Sequence, residues 1–455
     1  MSLAAAELLR VVSGKYYSTL HAAVWQEALL AAESGVDLAI IELRKSLFPA
    51  PNQAWQGWNV IGATTYGLTT IPNAGLAGTP MTIEVSVDAP SQLKDSGNGW
   101  QYYRIRTIGT MPITGPARAT DNKQDTRLRK LSLRWDRFSD GILTSHAVSS
   151  PRVSRRIEAV VRPTSAFDQA IMSVGSLDLT DHHIIIDSFD SRDTAKSTNG
   201  LYDAAKRQEN GNIATDGNLI NAGNAHIYGD VATNAGTVSG VANVTGIERN
   251  DFYQEPIPVG APVWPSINST PTLVTGTATL AGHSTEGSYA SRYILSSIAL
   301  AGTQVLTLSG NADGSTSFIE IYVTGDVDAV GNAQLVVAPG VRAKIYFAGH
   351  LRIAGNGILN QNNQPGDLQM YGIKPATGVS QILELGGNSL LSAAVYAPDH
   401  NITVNNGGTR GSVYGSFVGK TVKMVGVTDL HYDEALGAGG AINNYKIVSW
   451  FEDTQ

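Results

Sequence analysis

The chain has 455 residues, no cysteine and a formal net charge of -7 at pH 7. Its length allows two or three domains with a large buried core, and the lack of thiols excludes disulfides and thiolate metal sites. Charged residues make up only 16% of the chain and glycine contributes 48 residues, a balance that favours β structure with many tight turns. The acidic balance gives no whole-chain reason to expect nucleic acid as a partner.

The beginning of the chain has a helical pattern. No proline interrupts Leu3 to Leu47, and Pro49 and Pro51 follow it. Apolar residues recur there at steps of three and four, which is the period of one helix face. We therefore predict a single helical stem over residues 1–47, roughly 65 to 70 Å long. Its apolar stripe consists of Leu9, Val12, Tyr16, Leu20, Val24, Ala28, Ala32, Val36, Ile40, Leu43 and Leu47.

The start of this helix is not typical of a membrane anchor. No stretch of 18 or more apolar residues occurs, so the sequence as given is not expected to cross a bilayer. Met1 to Val12 is mostly apolar but lacks the basic region of a signal peptide. We expect a helix whose upstream half is missing, weakened at Gly14 and Gly35 by about 1 kcal/mol each relative to alanine.

Residues 48–164 are predicted to form a small β domain. The sequence predicts strands at Met81 to Val87, Trp100 to Ile108 and Ser154 to Val161. Alternating apolar and polar residues place one face on a core and the other in water. A sheet packed on the C-terminal half of the helix would bury both apolar faces.

From residue 165 onward the pattern changes to short β segments separated by Gly-Asn pairs. Ile321 to Ile345 is 24 residues and Val395 to Val413 is 18, and these lengths fit one coil of a β-solenoid. We predict a first solenoid part at 165–246, a Pro-rich crossing with an inserted β hairpin at 247–316, and a second part at 317–436. The two parts are expected to form one continuous solenoid. The tail, residues 437–455, is apolar enough at Tyr445 to Phe451 to dock or to form an edge strand.

The predicted fold class is mainly β with a long N-terminal α-helix. The helical stem and the β domain are followed by a right-handed parallel β-solenoid. The stem segment Gln26 to Ala39, with the sequence QEALLAAESGVDLA, resembles the helical stem of PilX-type proteins, minor-pilin-like relatives of the type IV pilus machinery. Segments around Ile186 to Ser191, Ala225 to Val231 and Val395 to Leu436 resemble the β-rich C-terminal region often fused to such stems. The order of these motifs in one chain is more specific than any of them alone.

The resemblance implies a noncatalytic cell-surface structural protein of a type IV pilus or pseudopilus-type assembly. It implies an inner-membrane-anchored precursor in the bacterial cell envelope, with the β body in the periplasm or outside the cell. Its expected partners are other pilin-like subunits, the inner membrane in the full-length form, and surface glycans or proteins. The stem residues that would serve assembly are Leu20, Val24, Ala28, Ala31, Ala32, Glu33 and Gly35.

Asp187 and Asp190 flank a short turn-like segment, with His182 and His183 upstream. Paired aspartates on a turn can supply oxygen ligands to calcium, which gives the hypothesis of a calcium-stabilised adhesin. The alternative is that these carboxylates cap the turns of a solenoid corner, and we favour it. No other cofactor is predicted. The two histidines point to opposite faces of a strand, which argues against a metal site made from this pair alone.

A secreted carbohydrate-active β-helix enzyme, a polysaccharide lyase or hydrolase, is the rival prediction. Its groove would recruit the charged side chains of the second solenoid part, although no two carboxylates recur at a one-coil offset. Those side chains are Asp326, Asp328, Arg342, Lys344, His350 and Arg352.

Two other clusters of residues have both a structural and a functional interpretation, and the structural one is favoured for each. The basic segment Arg118 to Arg137 is predicted to be a solvated loop and strand edge rather than a polyanion site. The aromatic residues Trp55, Trp58, Tyr66, Trp100, Tyr102 and Tyr103 are read as core packing rather than a carbohydrate or protein contact.

Overall fold

The structure is a computed structural model of the 455-residue chain. It describes residues 3–47, 54–72, 79–94, 101–113, 152–180, 184–240, 243–254, 256–264, 269–282, 291–311, 314–354, 356–377, 379–386, 390–405, 411–439 and 442–453. These residues confirm the coarse fold class, because they are mainly β with one long N-terminal helix.

Helix α1 spans Leu3–Leu47, as predicted, and a short helix α2 spans Glu434–Gly439. Short 3-10 turns occupy Ser91–Leu93, Ala204–Lys206 and Pro365–Asp367. The strands, in chain order, are β1 (Asn59–Ile61), β2 (Thr64–Ile71), β3 (Met81–Asp88), β4 (Tyr103–Pro112), β5 (Arg152–Ser165), β6 (Ile171–Ser173), β7 (Ser176–Asp178), β8 (Ile185–Phe189), β9 (Ile213–Thr215), β10 (Leu219–Gly223), β11 (His226–Ile227), β12 (Val231–Ala232), β13 (Thr237–Gly240), β14 (Asn243–Val244), β15 (Glu248–Arg249), β16 (Ser269–Val274), β17 (Ala278–Ala281), β18 (Ser291–Leu300), β19 (Val305–Ser309), β20 (Ser317–Val323), β21 (Val327–Ala329), β22 (Gln334–Val337), β23 (Val341–Phe347), β24 (Leu351–Ile353), β25 (Gly357–Asn360), β26 (Leu368–Gly372), β27 (Ile382–Gly386), β28 (Leu391–Asn405), β29 (Gly411–Val425), β30 (Thr428–Asp433) and β31 (Ile442–Asp453).

Contacts divide the chain into two compact units. Unit 1 contains 1–43, 54–162 and 445–455, and unit 2 contains 44–53 and 163–444. The predicted tail therefore contributes its last eleven residues to the unit that holds most of helix α1. In the chain, the long segment of unit 2, residues 163–444, lies between the parts of unit 1 that hold most of β5 and most of β31.

Unit 1 is built from α1 and a six-stranded sheet in the order β1-β2-β3-β4-β5-β31. The pairs from β1 to β5 are antiparallel, so the sheet is a meander along the chain that the last strand completes. Alternate residues of β3, β4 and β5 are buried, as the period of two predicts for a sheet with one covered face.

Helix α1 lies very close to this sheet. The Thr107 hydroxyl donates a 2.7 Å hydrogen bond to the main-chain carbonyl oxygen of Ala32. A methyl group at Gly109 would lie 2.1 Å from the carbonyl oxygen of Ala28, and one at Gly35 would lie 2.9 Å from side-chain carbons of Ile83 and Thr107. The two glycines therefore permit backbone-to-sheet contact that alanine would block. The C-terminal half of the helix packs on the sheet, as the sequence predicted.

Unit 2 is dominated by parallel pairing between strands that are far apart in the chain. A 21-stranded sheet and a four-stranded sheet of β17, β19, β22 and β25 account for its described strands. Ile321 pairs with Ile345, and Ile345 with Met370, so successive layers stack in register. Their inward side chains form one continuous apolar core from Ala166 to Leu436.

The layers do not stack in chain order. From one end the stack runs from β16 through β18, β20, β23, β26 and β28 to β29, and then continues with β6, β9 and their neighbours. Phe417 of β29 pairs with Ile171 of β6, and His431 of β30 pairs with Asp187 of β8. The two predicted blocks are thus continuous, but the end of the second block lies against the start of the first. We call this contact the seam, formed by β29 and β30 with β6, β7 and β8.

Two predictions for unit 2 are wrong. The expected hairpin at 247–316 is replaced by parallel pairs, β16 with β18 and β17 with β19, because these strands are further layers of the stack. The expected offset from Val395 to Val413 is also wrong, since Val395 pairs with Phe417 and Val413 with Leu391. The two similar Val-Tyr motifs occupy different positions within their layers, which a count of residues cannot reveal.

The described part of the Pro-rich segment lies against the stack. Val259 forms a parallel bridge with Ile373, and the Tyr396 hydroxyl donates to the Ile257 carbonyl oxygen at 2.9 Å. Beneath it, the Tyr346 ring stacks on the Tyr371 ring from the next layer, with ring centroids 5.0 Å apart. Burial raises the pKa of Tyr346 to about 12.

Candidate functional site

The predicted residue Asp187 lies at the seam, inside a cluster of polar and aromatic side chains. It is in the middle of β8, directly opposite His431 of β30 in the parallel register. Both side chains are buried, with 1% of Asp187 and 5% of His431 exposed. Sequence reasoning found the aspartate but not its partner, because 244 residues separate the two.

The Asp187 carboxylate is bound on both oxygens. Its Oδ1 lies 2.6 Å from Nδ1 of His431, and its Oδ2 accepts a 2.7 Å hydrogen bond from the Tyr202 hydroxyl. Burial, and then the hydrogen bond to Asp187, raise the pKa of Tyr202 well above its ordinary value. Tyr202 therefore stays protonated and keeps donating over the physiological pH range.

Aromatic rings enclose the imidazole of His431. The Tyr202 ring stacks on it at a centroid distance of 3.7 Å and an interplanar angle of 22°. Tyr414 lies 5.2 Å away at a tilt of 38°, and Phe189 packs edge-on against Tyr202. A carboxylate fixes one ring nitrogen and stacked rings fix the plane, so the imidazole is held in one orientation.

A second polar network lies beside this cluster. The Ser188 hydroxyl donates to Oε1 of Glu434 at 2.9 Å and accepts a hydrogen bond from the main-chain N–H of Asn210. The Asn210 side chain also donates to Oε1 of Glu434, while Lys196 pairs with Oε2 at 3.1 Å. The connection between β8 and β9 is thereby tied to the start of helix α2.

The other predicted residue, Asp190, is held by Arg192. The guanidinium donates from Nε and Nη2 to the two carboxylate oxygens, each at 3.0 Å. Burial raises the pKa of Asp190, but the side-chain and backbone hydrogen bonds from Arg192 outweigh it and lower that pKa overall. Asp433 accepts from the main-chain N–H groups of Ser191 and Ala435, which satisfies the turn and the helix start.

The hydrogen bond between Asp187 and His431 links strand β8 to strand β30, and the one from Tyr202 links the β8–β9 connection to the same carboxylate. An imidazole oriented by a carboxylate also forms part of many acid–base sites. Here the carboxylate is also bound by the Tyr202 hydroxyl, and the Tyr202 ring covers one face of the imidazole. Asp190 accepts a main-chain hydrogen bond from the N–H of Arg192, as the capping interpretation expects, whereas Asp187 bonds the side chains of His431 and Tyr202 instead.

For the calcium hypothesis, Asp187 is bound by His431 and Tyr202, whereas Asp190 is bound by Arg192. Across the described ranges, no group of three or more His, Cys, Asp or Glu side chains is placed to hold a metal ion. His182 and His183 lie outside the described residues. Calcium binding stays a prediction that only titration can test.

The charged residues of the predicted groove lie on several layers of the stack, and most are paired. Arg342 pairs with Asp367 at 3.1 Å and Arg352 with Glu384 at 3.0 Å, while Asp326 accepts from the main-chain N–H of His350. Asp328 lies opposite Arg352 in the register, and Lys344 lies opposite Glu320. The partners Asp367 and Glu384 were missed, since each comes from the next layer and its offset varies.

The aromatic residues predicted to pack in the β domain do not form one cluster among the described residues. Trp55 and Trp58 pack edge to face with centroids 5.2 Å apart, and the Tyr103 ring packs against Tyr445 of the last strand. Trp100 and the basic segment 118–137 lie outside the described residues.

Most of the predicted assembly residues of α1 face the sheet of unit 1. Val24, Ala28, Ala31, Ala32 and Gly35 are buried, while Leu20 and Glu33 are half-buried. These buried side chains are occupied by unit 1 itself. Any contact with other subunits would therefore use other parts of the helix. Large apolar side chains exposed on it are Val11, Val12, Tyr16, Trp25, Leu30 and Ile41.

Residues 281–438 match a family described as a domain of unknown function, DUF7305. The matched region covers the layers from β18 to β30 and ends in helix α2, so it includes the C-terminal side of the seam. No curated protein and no solved structure matches the chain. Within the described residues, no helix has both the length and the apolar character needed to cross a membrane.

Proposed function

We propose that this chain is a noncatalytic, pilin-like structural protein of a type IV pilus or pseudopilus-type assembly. Its β body serves adhesion or acts as a spacer. The observation that carries the proposal is helix α1, one continuous helix of 45 residues whose buried side chains, where side chains are described, run from Val24 to Leu43.

The N-terminal half of α1 supports a role in assembly. Val11, Val12 and Tyr16 are each more than half exposed, whereas a buried stripe begins at Val24. Exposed apolar side chains clustered on one element mark a protein or membrane contact. A helix of this length gains little stability from propensity alone, so its free half needs a partner.

The contact between α1 and the sheet of unit 1 supports the same proposal. The segment Gln26 to Ala39, which resembles the PilX-type stem, is the part that lies on the sheet through Ala28, Ala32 and Gly35. That close contact fixes the C-terminal half of α1 on the sheet, and the helix continues without a break into its N-terminal half. Such rigidity suits a stem that packs among similar helices.

We infer that the parallel stack of unit 2 is a right-handed β-solenoid. Layers in register, such as Ile321 on Ile345, and alternating inward apolar residues support this fold. Right-handed connection is the general rule for parallel strands of one sheet. A solenoid is rigid and lengthens by adding layers, which suits a spacer or a binding surface carried by a filament.

The proposal places the protein in the bacterial cell envelope, with an inner-membrane-anchored precursor and a β body in the periplasm or outside the cell. Its partners would be other pilin-like subunits and surface glycans or proteins. The test is fractionation of the organism that encodes it, using an antibody against unit 2. We expect the chain in membrane and sheared-filament fractions, and we expect its deletion to change filament number or adhesion. Recovery only in a fraction free of membrane and filaments would overturn the proposal.

A further inference from the structure

Among the described strands, the last one, β31, lies at an edge of the unit 1 sheet. It pairs with β5 on one side, and no strand in the described part of the chain pairs with its other side. An open edge presents a row of main-chain N–H and C=O groups, which can template pairing with a further strand. Natural edges are usually protected by charges, prolines or bulges.

The middle of β31 lacks that protection. Its residues 447–451 read Ile-Val-Ser-Trp-Phe, without charge or proline. Ile447, Val448, Trp450 and Phe451 are between 42% and 64% exposed. Because neighbouring side chains of a strand point to opposite faces, apolar surface is exposed on both faces of this edge. An edge of this kind needs a partner strand that is itself apolar.

The sequence of β31 is complementary to itself, and we propose that its partner is a second copy of this chain. Two β31 strands would pair antiparallel about a two-fold axis that passes through Ser449. In that register Lys446 of each copy lies opposite Glu452 of the other, Ile447 opposite Phe451, and Val448 opposite Trp450. The same patch on both copies forms the contact, as two-fold symmetry requires.

Charge and shape favour this register over its neighbours. Aromatic residues opposite β-branched ones and opposite charges facing each other are the favourable cross-strand pairs. The proposed register forms each kind of pair twice. Moving the axis by one residue to Val448 would place Lys446 opposite Trp450 and separate it from Glu452. Glu452 also contacts Arg155, which anchors its carboxylate at the end of the strand.

The opposite edge of the sheet is a poorer partner. Strand β1 spans only Asn59–Ile61, so it is too short to cover residues 447–451. Pairing β31 of one copy with β1 of the next would also leave an edge free at each end and produce open chains. The two-fold arrangement covers the β31 edge of both copies, leaves only the short β1 edges exposed, and stops at a dimer. This inference does not depend on the proposed function.

Cysteine cross-linking tests the proposal directly, because the natural chain has no cysteine. In Ser449→Cys the two thiols would face each other across the axis. Opposite residues of antiparallel strands have Cα atoms about 4.5 to 5.5 Å apart, within the range that a disulfide spans. We expect mild oxidation to give a disulfide-linked dimer at least ten times faster than in Leu68→Cys, a control on β2 whose side chain is 67% exposed.

A mixing experiment tests the register. Val448→Cys mixed with Trp450→Cys should give mainly the mixed dimer, since these positions face each other. Sedimentation velocity should show a concentration-dependent dimer for the natural chain. Val448→Glu should raise its dissociation constant at least tenfold, and Val448→Glu with Trp450→Lys should restore much of the affinity. Circular dichroism of each variant checks folding.

Three results would overturn the proposal. The first is a monomer at every concentration. The second is cross-linking of Ser449→Cys no faster than of Leu68→Cys. The third is efficient cross-linking of Ser449→Cys to Val60→Cys with growth of open oligomers, which would assign the edge to head-to-tail pairing.

Discussion

The hydroxyl of Thr107, on the central strand β4, donates a 2.7 Å hydrogen bond to the main-chain carbonyl oxygen of Ala32 in helix α1. A side chain can reach a helix backbone only where no bulky residue separates them. Gly109 and Gly35 provide that space, one from the sheet and one from the helix.

The same substitution at two glycines of α1 is therefore expected to have opposite effects. The methyl group added by Gly14→Ala would meet no atom within 4 Å. This variant should stabilise the helix by about 1 kcal/mol, the difference in helix propensity between alanine and glycine. Gly35→Ala would gain the same propensity but push against Ile83 and Thr107, and overpacking of this kind costs about 1 to 3 kcal/mol. Chemical denaturation should show a lower free energy of unfolding only for Gly35→Ala. Equal effects of the two variants would contradict the packing described.

At the seam, the Asp187 and His431 pair is expected to stabilise unit 2 strongly. His431→Leu would leave a buried carboxylate without its main partner, and breaking a buried pair costs about 3 to 5 kcal/mol. The matched control is Lys423→Ala, which removes an exposed pair with Asp178 across the same seam. That control should cost less than about 1 kcal/mol. Denaturant titration of both variants is the measurement, and comparable losses would argue against a special role for the buried pair.

The buried side chain of His400 should make the stability of unit 2 decrease at acidic pH. Its side chain is fully buried, and burial, together with nearby His350, lowers its pKa to about 4. The unfolded chain, with an ordinary pKa near 6.5, binds a proton first as the pH falls. Stability therefore decreases from about pH 6.5 down to about pH 4, by about 2 to 3 kcal/mol at pH 4.5.

The variant His400→Leu should remove that part of the pH dependence. Unfolding free energies of the natural chain and the variant, each measured at pH 7.5 and pH 4.5, provide the test. The difference between the two pH values should be smaller in the variant by about 2 kcal/mol. If both proteins lose the same amount, His400 is not the source of the acid sensitivity.

Calcium is expected to have little effect on thermal stability, since Asp187 and Asp190 already bind protein donors. A ligand present at 100 times its dissociation constant stabilises the folded state by about 2.7 kcal/mol. Melting curves with 1 mM calcium and with a chelator should agree within error. A rise of several degrees that chelator reverses, and that Asp190→Asn abolishes, would instead support the calcium-stabilised adhesin.

Sequence periodicity predicted the elements that depend on local pattern. Helix α1 has its predicted bounds because its apolar stripe continues without proline from Leu3 to Leu47. The strand around Ile83 and Val85 followed from strict alternation. The role of Gly35 was misjudged, because the cost of glycine in a helix is local whereas its benefit is a contact with another element.

The sequence did not predict which strands pair when the partners are far apart in the chain. The offset between partners is 24 residues for Ile321 and Ile345, which repetition revealed, but 244 for Asp187 and His431. Nothing in the local sequence around His431 indicates that its strand lies against β8, which belongs to the part of unit 2 that comes first in the chain. The sequence indicated the site through Asp187 and Asp190. Its partner His431 is identified only by the pairing of β30 with β8.

The central claim is that the free half of α1 packs among the helices of other pilin-like subunits. The most direct measurement replaces Tyr16 with the photo-cross-linking amino acid p-benzoylphenylalanine in the organism that encodes the chain. The matched control replaces Tyr253, which is also exposed. We predict light-dependent adducts of the Tyr16 variant with pilin-like subunits, identified by mass spectrometry, and no such adducts of the Tyr253 variant. Adducts with pilin-like subunits from neither position, or equally from both, would contradict the account.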